Sequence, residues 1–380
     1  MRERIQVVCC TDGIFPESVG GMQRFARLLI ESLAATGELD LIVIHPHGDR
    51  QLFDPALGIR EHAVPPLPGK RLYIRELYDY SVRVSQVLRS YPDALIYSQG
   101  LSVWHRAGHL RKRLIVHPHG LEPFQVLTLS ERLRTLPLKW ALISLFNQAG
   151  TVVSLGGRLT GIIRRHLYQR RTRVAVIPNA TVPPEAAAPA PQLPGEPIRC
   201  LFVGRFALNK GIDVLMQAIR RLRERHPAQA FTFTLAGKGE LYESYRKLYA
   251  GEGIEFLGFV TDEQLAELYR SHHLFVLPTL FEGMPTVILE AMAQGMPVVV
   301  SDVGATAELV DARNGFLTEA RNADQLVEAI EAFAAMDAAQ RQALSEQSQR
   351  KVEERYTWPR VAAQYLELFR GLRGQTPVRA

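Results

Sequence analysis

Short runs of apolar, mostly β-branched residues alternate with longer segments of helical period along most of the chain. Runs of this length are typical of buried strands, and the segments between several of them have the length of helices. Strands that alternate with helices form a parallel sheet with helical crossovers. In the first half, the predicted strands are IQVVCC (5–10), LDLIVIH (39–45), ALIYSQ (94–99), RLIVHPH (113–119), TVVSL (151–155) and VAVIPN (174–179).

The alternation stops at TVPPEAAAPAPQLPGEP (181–197). Its prolines suit neither a helix nor a central strand, and we interpret this segment as a linker. Beyond it the same pattern returns, with predicted helices at 211–225, 241–250, 262–271, 285–294 and 322–333. The predicted strands there are IRCLFVG (198–204), AFTFTLAG (230–237), IEFLG (254–258), HLFVLPT (273–279) and PVVVSD (297–302).

Two α/β domains with doubly wound, Rossmann-like sheets are therefore predicted, over residues 1–180 and 198–356. Such sheets bind ligands at the carboxyl ends of their strands, and we expect these ends of the two sheets to face one cleft. A last helical pattern covers residues 357–373. Its apolar face must pack against one of the domains.

The composition agrees with a globular protein of two domains, since 47% of the 380 residues are apolar and a chain of this length can bury two cores. The first residues, MRERIQVVCC, are too mixed for a secretory signal, and no stretch approaches the roughly 20 apolar residues of a membrane span. The three cysteines show no metal spacing. We expect a cytoplasmic protein with structural thiols.

The net charge of +6 is unevenly distributed. Residues 1–180 hold 24 Lys and Arg against 14 Asp and Glu, whereas the other 200 residues hold 21 against 25. The basic clusters at 106–113 and 164–173 suit nucleic acid, an anionic membrane surface or an acidic acceptor, with solvated helix faces as the alternative. Because no nucleic-acid-binding motif accompanies them, we expect no nucleic acid and favour peripheral contact with the inner face of the cytoplasmic membrane. WALISLF (140–146) is interpreted as a buried helix face, with lipid contact as its alternative.

Two loops with glycines follow predicted strands. In ESVGGMQRF (17–25), Gly20 and Gly21 precede a helix, so a phosphate could approach the backbone there, although a tight turn explains the pair equally well. In VGRFALNKGIDVLMQAI (203–219), the loop carries Arg205 and Lys210. A bidentate Arg and a compact Lys charge suit a diphosphate, with solvated loop charges as the alternative.

The stretch FEGMPTVILEAMAQGMP (281–297) carries two carboxylates in one strand–loop–helix unit. Glu282 lies in the loop, and Glu290 lies about one and a half turns into the helix that Pro285 opens. One interpretation is a Glu282 that complements the helix dipole beside a solvated Glu290, and a second is a glycosidase acid/base pair. In a third interpretation, both carboxylates accept hydrogen bonds from hydroxyl groups of one ligand. The placement of Glu282 in the loop and of Glu290 in the helix suits this interpretation.

The sequence His-Pro-His follows a predicted strand twice, at 45–47 and at 117–119. His-x-His can bind a metal, but no Cys or carboxylate set supports either copy. The chain also lacks the Asp-x-Asp that would hold a divalent ion on a nucleotide diphosphate. We expect no metal, and we expect His119 to donate to a ligand hydroxyl or a backbone carbonyl. The copy at 45–47 has no assigned role.

Taken together, these motifs resemble the retaining glycosyltransferases of family 4, which have the GT-B fold. The resemblance covers nearly the whole chain, and its most specific part is the Glu282–Glu290 pair in the setting FEGMP…EAMA-x-G-x-P-V-V. A departure is VGATAE (303–308), where the family often has Gly-Gly-x-Pro-Glu. The other matching segments are VGGMQRF, HPHGLEP, VIPNA, VGRFALNKG, LAGKGEL, IEFLGFV and YTWPRVAAQYLELF.

The resemblance implies roles for individual residues. Arg205 and Lys210 would hold the donor diphosphate and stabilise the leaving group. Glu290 would accept from the ribose hydroxyls, while Glu282 would lie beside the donor sugar and His119 would contact it from the opposite wall. The implied catalytic residues are Glu282, His119, Arg205 and Lys210. The implied donor-binding residues are Gly20, Gly21, Arg205, Lys210, Phe259, Val260, Glu282, Gly283, Met284, Pro285 and Glu290.

The family works without a metal or another cofactor, through a front-face reaction in which the leaving phosphate takes the proton of the acceptor. The resemblance thus implies transfer of a sugar from a nucleotide-diphosphate sugar to a glycan or lipid-linked acceptor, in the synthesis of cell-surface polysaccharide, lipopolysaccharide or glycolipid. The closing helix of the family returns to the first domain. The alternatives are a nucleotide-sugar epimerase and a non-catalytic nucleotide-sugar-binding protein on the same fold.

Overall fold

The structure is a computed structural model and describes residues 4–18, 20–48, 50–66, 73–126, 128–168, 171–184, 196–227, 230–249, 251 and 253–374. The chain separates into two compact units. The first unit comprises Met1–Asn179 and Trp358–Ala380, and the second comprises Ala180–Thr357. Residues 185–195 of the predicted linker lie outside the described residues.

The first unit is built on a parallel sheet of seven strands within the described residues, in the order β3-β2-β1-β4-β5-β6-β7. Because the strand order reverses between β1 and β4, the loops after these two strands diverge there and leave room for a ligand. The strands are β1 (Ile5–Cys10), β2 (Leu39–His45), β3 (Arg60–Ala63), β4 (Leu95–Gln99), β5 (Leu114–His117), β6 (Thr151–Ser154) and β7 (Arg173–Val176).

Five α-helices precede the second unit in the part of the chain that the structure describes. They are α1 (Gly21–Ala35), α2 (Tyr73–Val87), α3 (Glu122–Gln125), α4 (Leu129–Gln148) and α5 (Gly157–Arg165). The start of α4 is set by a capping box, since the side chain of Thr128 accepts from Glu131 N while the Glu131 side chain accepts from Thr128 N.

The second unit contains a parallel sheet of six described strands, in the order β10-β9-β8-β11-β12-β13. The strands are β8 (Ile198–Val203), β9 (Phe231–Ala236), β10 (Ile254–Gly258), β11 (Leu274–Leu277), β12 (Val298–Ser301) and β13 (Gly315–Thr318). The helices are α6 (Ile212–Arg225), α7 (Tyr242–Tyr249), α8 (Asp262–Ser271), α9 (Thr286–Ala293), α10 (Thr306–Leu309), α11 (Ala323–Ala335) and α12 (Ala338–Arg355).

The closing helix, α13 (Trp358–Arg373), belongs to the first unit although it follows the second in sequence. Its ring contacts explain the placement: Trp358 lies 5.4 Å from Phe25 of α1, and Tyr365 lies 5.4 Å from Tyr97 of β4, both measured between ring centroids. Burial of these large rings supplies much of the apolar contact in this part of the core.

Two parallel-sheet, Rossmann-like units confirm the predicted α/β class. Each sheet has one strand more than the sequence pattern predicted, β3 in the first unit and β13 in the second. None of the described helices combines the length and the apolarity that crossing a bilayer requires.

Candidate functional site

In the second unit, the loop between β8 and α6 carries two of the predicted cations. Arg205 lies two residues after β8 and is exposed, and Lys210 ends a 3-10 turn that spans Leu208–Lys210. Both therefore lie at the carboxyl edge of a central strand. This is the edge at which doubly wound sheets bind their ligands.

Gly211 fixes the end of that loop. Its φ is +69°, and a Cβ added to it would lie 1.8 Å from the carbonyl oxygen of Pro278. Only glycine adopts this conformation at such a close backbone approach without strain. Gly211 thus lets the loop after β8 contact the loop after β11.

The second loop presents Glu282, and an ion pair joins it to the first loop: Lys210 Nζ donates to Glu282 Oε1. The Thr279 hydroxyl lies 3.1 Å from the same carboxylate oxygen and 2.9 Å from Asn209 O, while Leu280 N donates to Asn209 O at 2.8 Å. These bonds hold the carboxylate at the carboxyl edge of the sheet.

The backbone after Glu282 is held by a third loop, which follows β12. Ala305 N donates to Gly283 O at 2.9 Å, and a Cβ added to Gly304, whose φ is +56°, would lie 2.3 Å from Glu282 O. Glycine is therefore required at 304, within the segment VGATAE that departs from the family pattern. Met284 and Pro285 are buried beneath this turn.

Glu290 lies in the second turn of α9 and is half-buried. The hydroxyl of Tyr269 on α8 donates to Glu290 Oε2 at 3.1 Å. Tyr269 was not predicted from the sequence. Its only signal there is its position on the apolar face of the predicted helix at 262–271, which suggests burial but not a partner.

The remaining predicted residues of the second unit lie further along the edge. Phe259 and Val260 follow β10, two strands from β8 in the sheet order, and the Phe259 side chain is 71% exposed. An exposed ring on a loop at this edge is available to stack on a ligand.

In the first unit, Gly20 and Gly21 lie at the amino terminus of α1, after β1, and His119 lies two residues after β5. His119 has a φ of +58°, unusual for a residue with a side chain. Its ring stacks on that of His117 at 3.9 Å between centroids. Burial lowers the pKa of His119 to about 3, so that the ring is neutral at physiological pH.

His117 does not share the predicted role of His119, because its Nδ1 is occupied. It lies 2.7 Å from the hydroxyl of Tyr97 and 3.2 Å from that of Tyr365 on α13. This network ties the end of β5 to β4 and to the closing helix. The Nε2 atoms of His117 and His119 are both buried without a hydrogen-bond partner among the described residues.

Asp12 is a residue at this edge that the sequence interpretation missed. It lies two residues after β1, and its Oδ1 is buried without a partner among the residues that the structure describes. Burial raises its pKa to about 6. The buried hydroxyl of Ser102, three residues after β4, likewise has no partner within the described chain. With His119, these groups present unpaired polar atoms after three adjacent strands.

The His-Pro-His at 45–47 has a structural explanation. Ile14 N donates to His47 Nε2 at 2.9 Å, and His47 N donates to His45 Nδ1 at 3.2 Å. His45 Nε2 in turn lies 3.3 Å from a carboxylate oxygen of Glu61 on β3. The motif therefore anchors the loop that leads from β1 to Gly20. No cluster of three or more His, Cys, Asp or Glu able to hold a metal occurs in the described parts of the chain.

Two family models match this chain. The model of glycosyltransferase family 4 matches residues 19–183, and that of glycosyl transferases group 1 matches residues 197–335. The chain belongs to glycosyltransferase family 4. The expected family is thereby confirmed.

Individual relatives match only part of the chain. An uncharacterised glycosyltransferase of Methanocaldococcus jannaschii is 33% identical over 175 residues, which are 45% of this chain and 44% of that protein. This chain spans less than half the length of the curated relatives it matches.

Solved structures resemble nearly the whole of this family 4 chain. Sucrose-phosphate synthase from Thermosynechococcus elongatus has a TM-score of 0.80 at 22% identity, with 98% of this chain and 100% of that chain covered. HepE from Anabaena, solved in complex with UDP and glucose, has a TM-score of 0.69 at 18% identity, with 97% and 100% covered. At such identities the likeness establishes the fold, which is GT-B.

Proposed function

We propose that the protein is a retaining glycosyltransferase that moves a sugar from a nucleotide-diphosphate sugar to a glycan or lipid-linked acceptor. The observation that carries this proposal is the Lys210–Glu282 ion pair, held at the carboxyl edge of the second sheet in the same loop system as the exposed Arg205. A carboxylate and two cations at one sheet edge match the hydroxyl groups and the diphosphate of such a donor.

The ion pair also suggests how donor binding proceeds. Without donor, the charge of Lys210 is offset by Glu282, whereas no ion pair engages Arg205 among the described residues. A diphosphate that attracts Lys210 would release the Glu282 carboxylate to accept from hydroxyl groups of the donor sugar. Arg205 and Lys210 would then stabilise the charge that develops on the leaving diphosphate.

The other donor contacts follow the family pattern. Glu290, whose side chain Tyr269 orients, would accept from the ribose hydroxyls, and the exposed ring of Phe259 with Val260 would contact the base. The N–H groups of Gly283 and Met284 would bind hydroxyl groups of the sugar. In the first unit, Gly20 and Gly21 would contribute backbone N–H groups, and the neutral His119 would donate to a sugar hydroxyl.

Retention without a protein nucleophile implies front-face attack, in which the leaving phosphate takes the proton of the acceptor and Glu282 orients the sugar. We propose that the reaction needs no metal or other cofactor. HepE, whose structure contains UDP and glucose, supports a nucleotide donor. The expected setting is the synthesis of cell-surface polysaccharide or glycolipid at the cytoplasmic face of the membrane.

The test is to incubate the protein with a panel of nucleotide sugars, with and without candidate acceptors, and to measure released nucleoside diphosphate. Release that requires an acceptor, disappears in Glu282→Ala and Lys210→Ala and persists with a chelator would support the proposal. Epimerised donor without an acceptor would indicate an epimerase, and binding without any turnover would indicate a non-catalytic protein. Loss of activity with a chelator would overturn only the proposal that the reaction needs no metal.

A further inference from the structure

One helix of the first unit exposes large apolar side chains along a single face. On α4, Leu129 is 73% exposed, Leu133 64%, Leu136 43% and Trp140 60%. Their spacings of four, three and four residues place them in one stripe, about 17 Å long at the helical rise of 1.5 Å per residue. We call Leu129, Leu133, Leu136 and Trp140 the α4 stripe.

The last turns of α4 are already committed to the core of the first unit, since Ala141, Leu142, Ile143, Leu145 and Phe146 are buried. The earlier turns instead expose the large apolar side chains of the stripe, which a solvated surface helix does not do. A stripe of this kind on a soluble surface marks a docking site.

The charge around the stripe indicates what docks there. Helix α4 carries three cations, Arg132, Arg134 and Lys139, and one acid, Glu131. Arg132 and Arg134 lie on α4 itself and are exposed, and Arg164 and Arg165 are exposed on α5.

The combination of exposed apolar side chains and positive charge excludes several binding partners for the α4 stripe. A second copy of the chain would bring an equally basic surface to the contact, and like charges would repel it. Nucleic acid would satisfy the cations but would leave three leucines without an apolar partner. An anionic bilayer satisfies both, since lipid phosphates pair with Arg while the apolar side chains enter the boundary of the acyl region.

We propose that the α4 stripe, flanked by Arg132 and Arg134, docks the protein on an anionic lipid surface. Helix α4 would lie in the plane of the surface, since its own charged residues prevent it from crossing. The lipid-contacting residues are therefore those before Ala141, and of the segment WALISLF (140–146) Trp140 alone contributes. This docking does not depend on the proposed reaction and can fail separately from it.

The experiment is co-sedimentation of the full chain with phosphatidylcholine vesicles that contain or lack phosphatidylglycerol. We expect binding that requires the anionic lipid and that falls by roughly tenfold or more in Leu133→Glu. The matched control is Leu248→Glu, because Leu248 is 69% exposed on α7 of the second unit. Arg132→Gln with Arg134→Gln should weaken binding several-fold and reduce its salt dependence.

Trp140 provides a direct readout of insertion. Its emission should shift to the blue on anionic vesicles and should be quenched by lipids brominated on the acyl chains, and Trp140→Phe should abolish both changes. Equal binding to neutral vesicles, unchanged binding by Leu133→Glu, or anionic-vesicle binding that high salt leaves unaffected would overturn the proposal. A Leu133→Glu variant that loses self-association rather than vesicle binding would also overturn it, in favour of a dimer contact.

Discussion

Lys210 and Glu282 are separated by 72 residues in sequence, and the ion pair between them joins two loops at one sheet edge. Both side chains are largely shielded from solvent, with exposed fractions of 21% and 12%. A pair in this setting holds each partner more firmly than a surface pair would. A ligand that takes one partner therefore has to compete with the other.

This competition leads to a prediction for Glu282→Gln. The substitution keeps the shape of the side chain but removes its charge, so Lys210 becomes available to a diphosphate. We expect free nucleoside diphosphate to bind about three- to tenfold more tightly, on the scale of one charge pair, while turnover falls by about a hundredfold or more. Calorimetric titration and product release measure the two effects.

Glu267→Gln is the matched control, since Glu267 pairs with Arg270 on an exposed helix surface. It should change neither quantity. Weaker binding of nucleoside diphosphate by Glu282→Gln would contradict the competition and would indicate that Glu282 positions Lys210 for the phosphates instead.

Asp12 leads to a prediction about stability and pH. Its pKa is about 3.8 in the unfolded chain and about 6 in the folded one, so the native state binds more protons between these values. Stability contributed by this group is therefore present below pH 4 and is lost as the pH rises through 6. Asp12→Asn should raise the free energy of unfolding at pH 7.5 by about 1 to 3 kcal/mol and much less at pH 4.

Urea unfolding at the two pH values measures this difference, and Asp79→Asn, an exposed change on α2, is the control. A destabilised Asp12→Asn at pH 7.5 would show that the hydrogen bond from the Gln23 side chain to the carboxylate outweighs the cost of burying its charge. If the variant is more stable but transfers sugar more slowly, the buried carboxyl is retained for ligand binding rather than for folding.

Among the contacts between elements, the one at Gly211 shows how two loops of the second unit are held together. Gly211→Ala would force a Cβ towards Pro278 O, at the contact between the loops after β8 and β11. We expect a loss of at least about 2 kcal/mol in the free energy of unfolding, from strain at positive φ and from the displaced loop. Thermal unfolding and the affinity for nucleoside diphosphate should both decrease.

Gly161→Ala is the matched control, because Gly161 lies inside α5 and an added Cβ has no neighbour within 4 Å. This change should stabilise the protein by up to about 1 kcal/mol, since alanine favours helix more than glycine. Equal effects of the two substitutions would mean that the contact at Gly211 has no energetic importance.

Most elements could be predicted from the sequence because their apolar residues repeat with a clear period. The exceptions have weak patterns. Strand β3 reads REHA and pairs with β2 through its backbone, and β13 is four residues long and begins at a glycine whose added Cβ would meet Val298 O at 2.2 Å. Helix α12 is polar along most of its length and buries Leu344 and Val352 as its large apolar side chains.

Side-chain contacts between elements were harder to predict from the sequence than the elements themselves. Glu282 and Glu290 were predicted to bind the ligand. Their partners Thr279 and Tyr269 could not be predicted, since a hydroxyl residue in a loop or on a helix has many possible partners. The His-Pro-His at 45–47 could not be interpreted for the same reason. Its acceptor role for Ile14 N depends on a turn 33 residues away.

The first unit is assembled from two segments that are distant in sequence. Helix α13 buries Val361, Tyr365, Phe369 and Leu372 in a core otherwise made by residues before 180. The second unit, Ala180–Thr357, is continuous and contains its own sheet. The two units should therefore differ in their ability to fold alone.

The prediction is tested with fragments. Residues 180–357 alone should unfold cooperatively in urea and should bind nucleoside diphosphate, with an affinity that Lys210→Ala lowers at least about tenfold. Residues 1–179 alone lack α13, so the surface around Phe25 and Tyr97 is exposed, and we expect a state without cooperative unfolding.

Joining residues 358–374 to this fragment through a flexible linker should restore the transition, because the linker supplies the helix at high effective concentration. Tyr365→Ala in the joined fragment should weaken that recovery, since the substitution removes both a buried ring and a hydroxyl that contacts His117. Cooperative unfolding of residues 1–179 without α13 would contradict this account, and so would a fragment 180–357 that folds but binds no nucleotide, because the diphosphate contacts would then have to come from elsewhere in the chain.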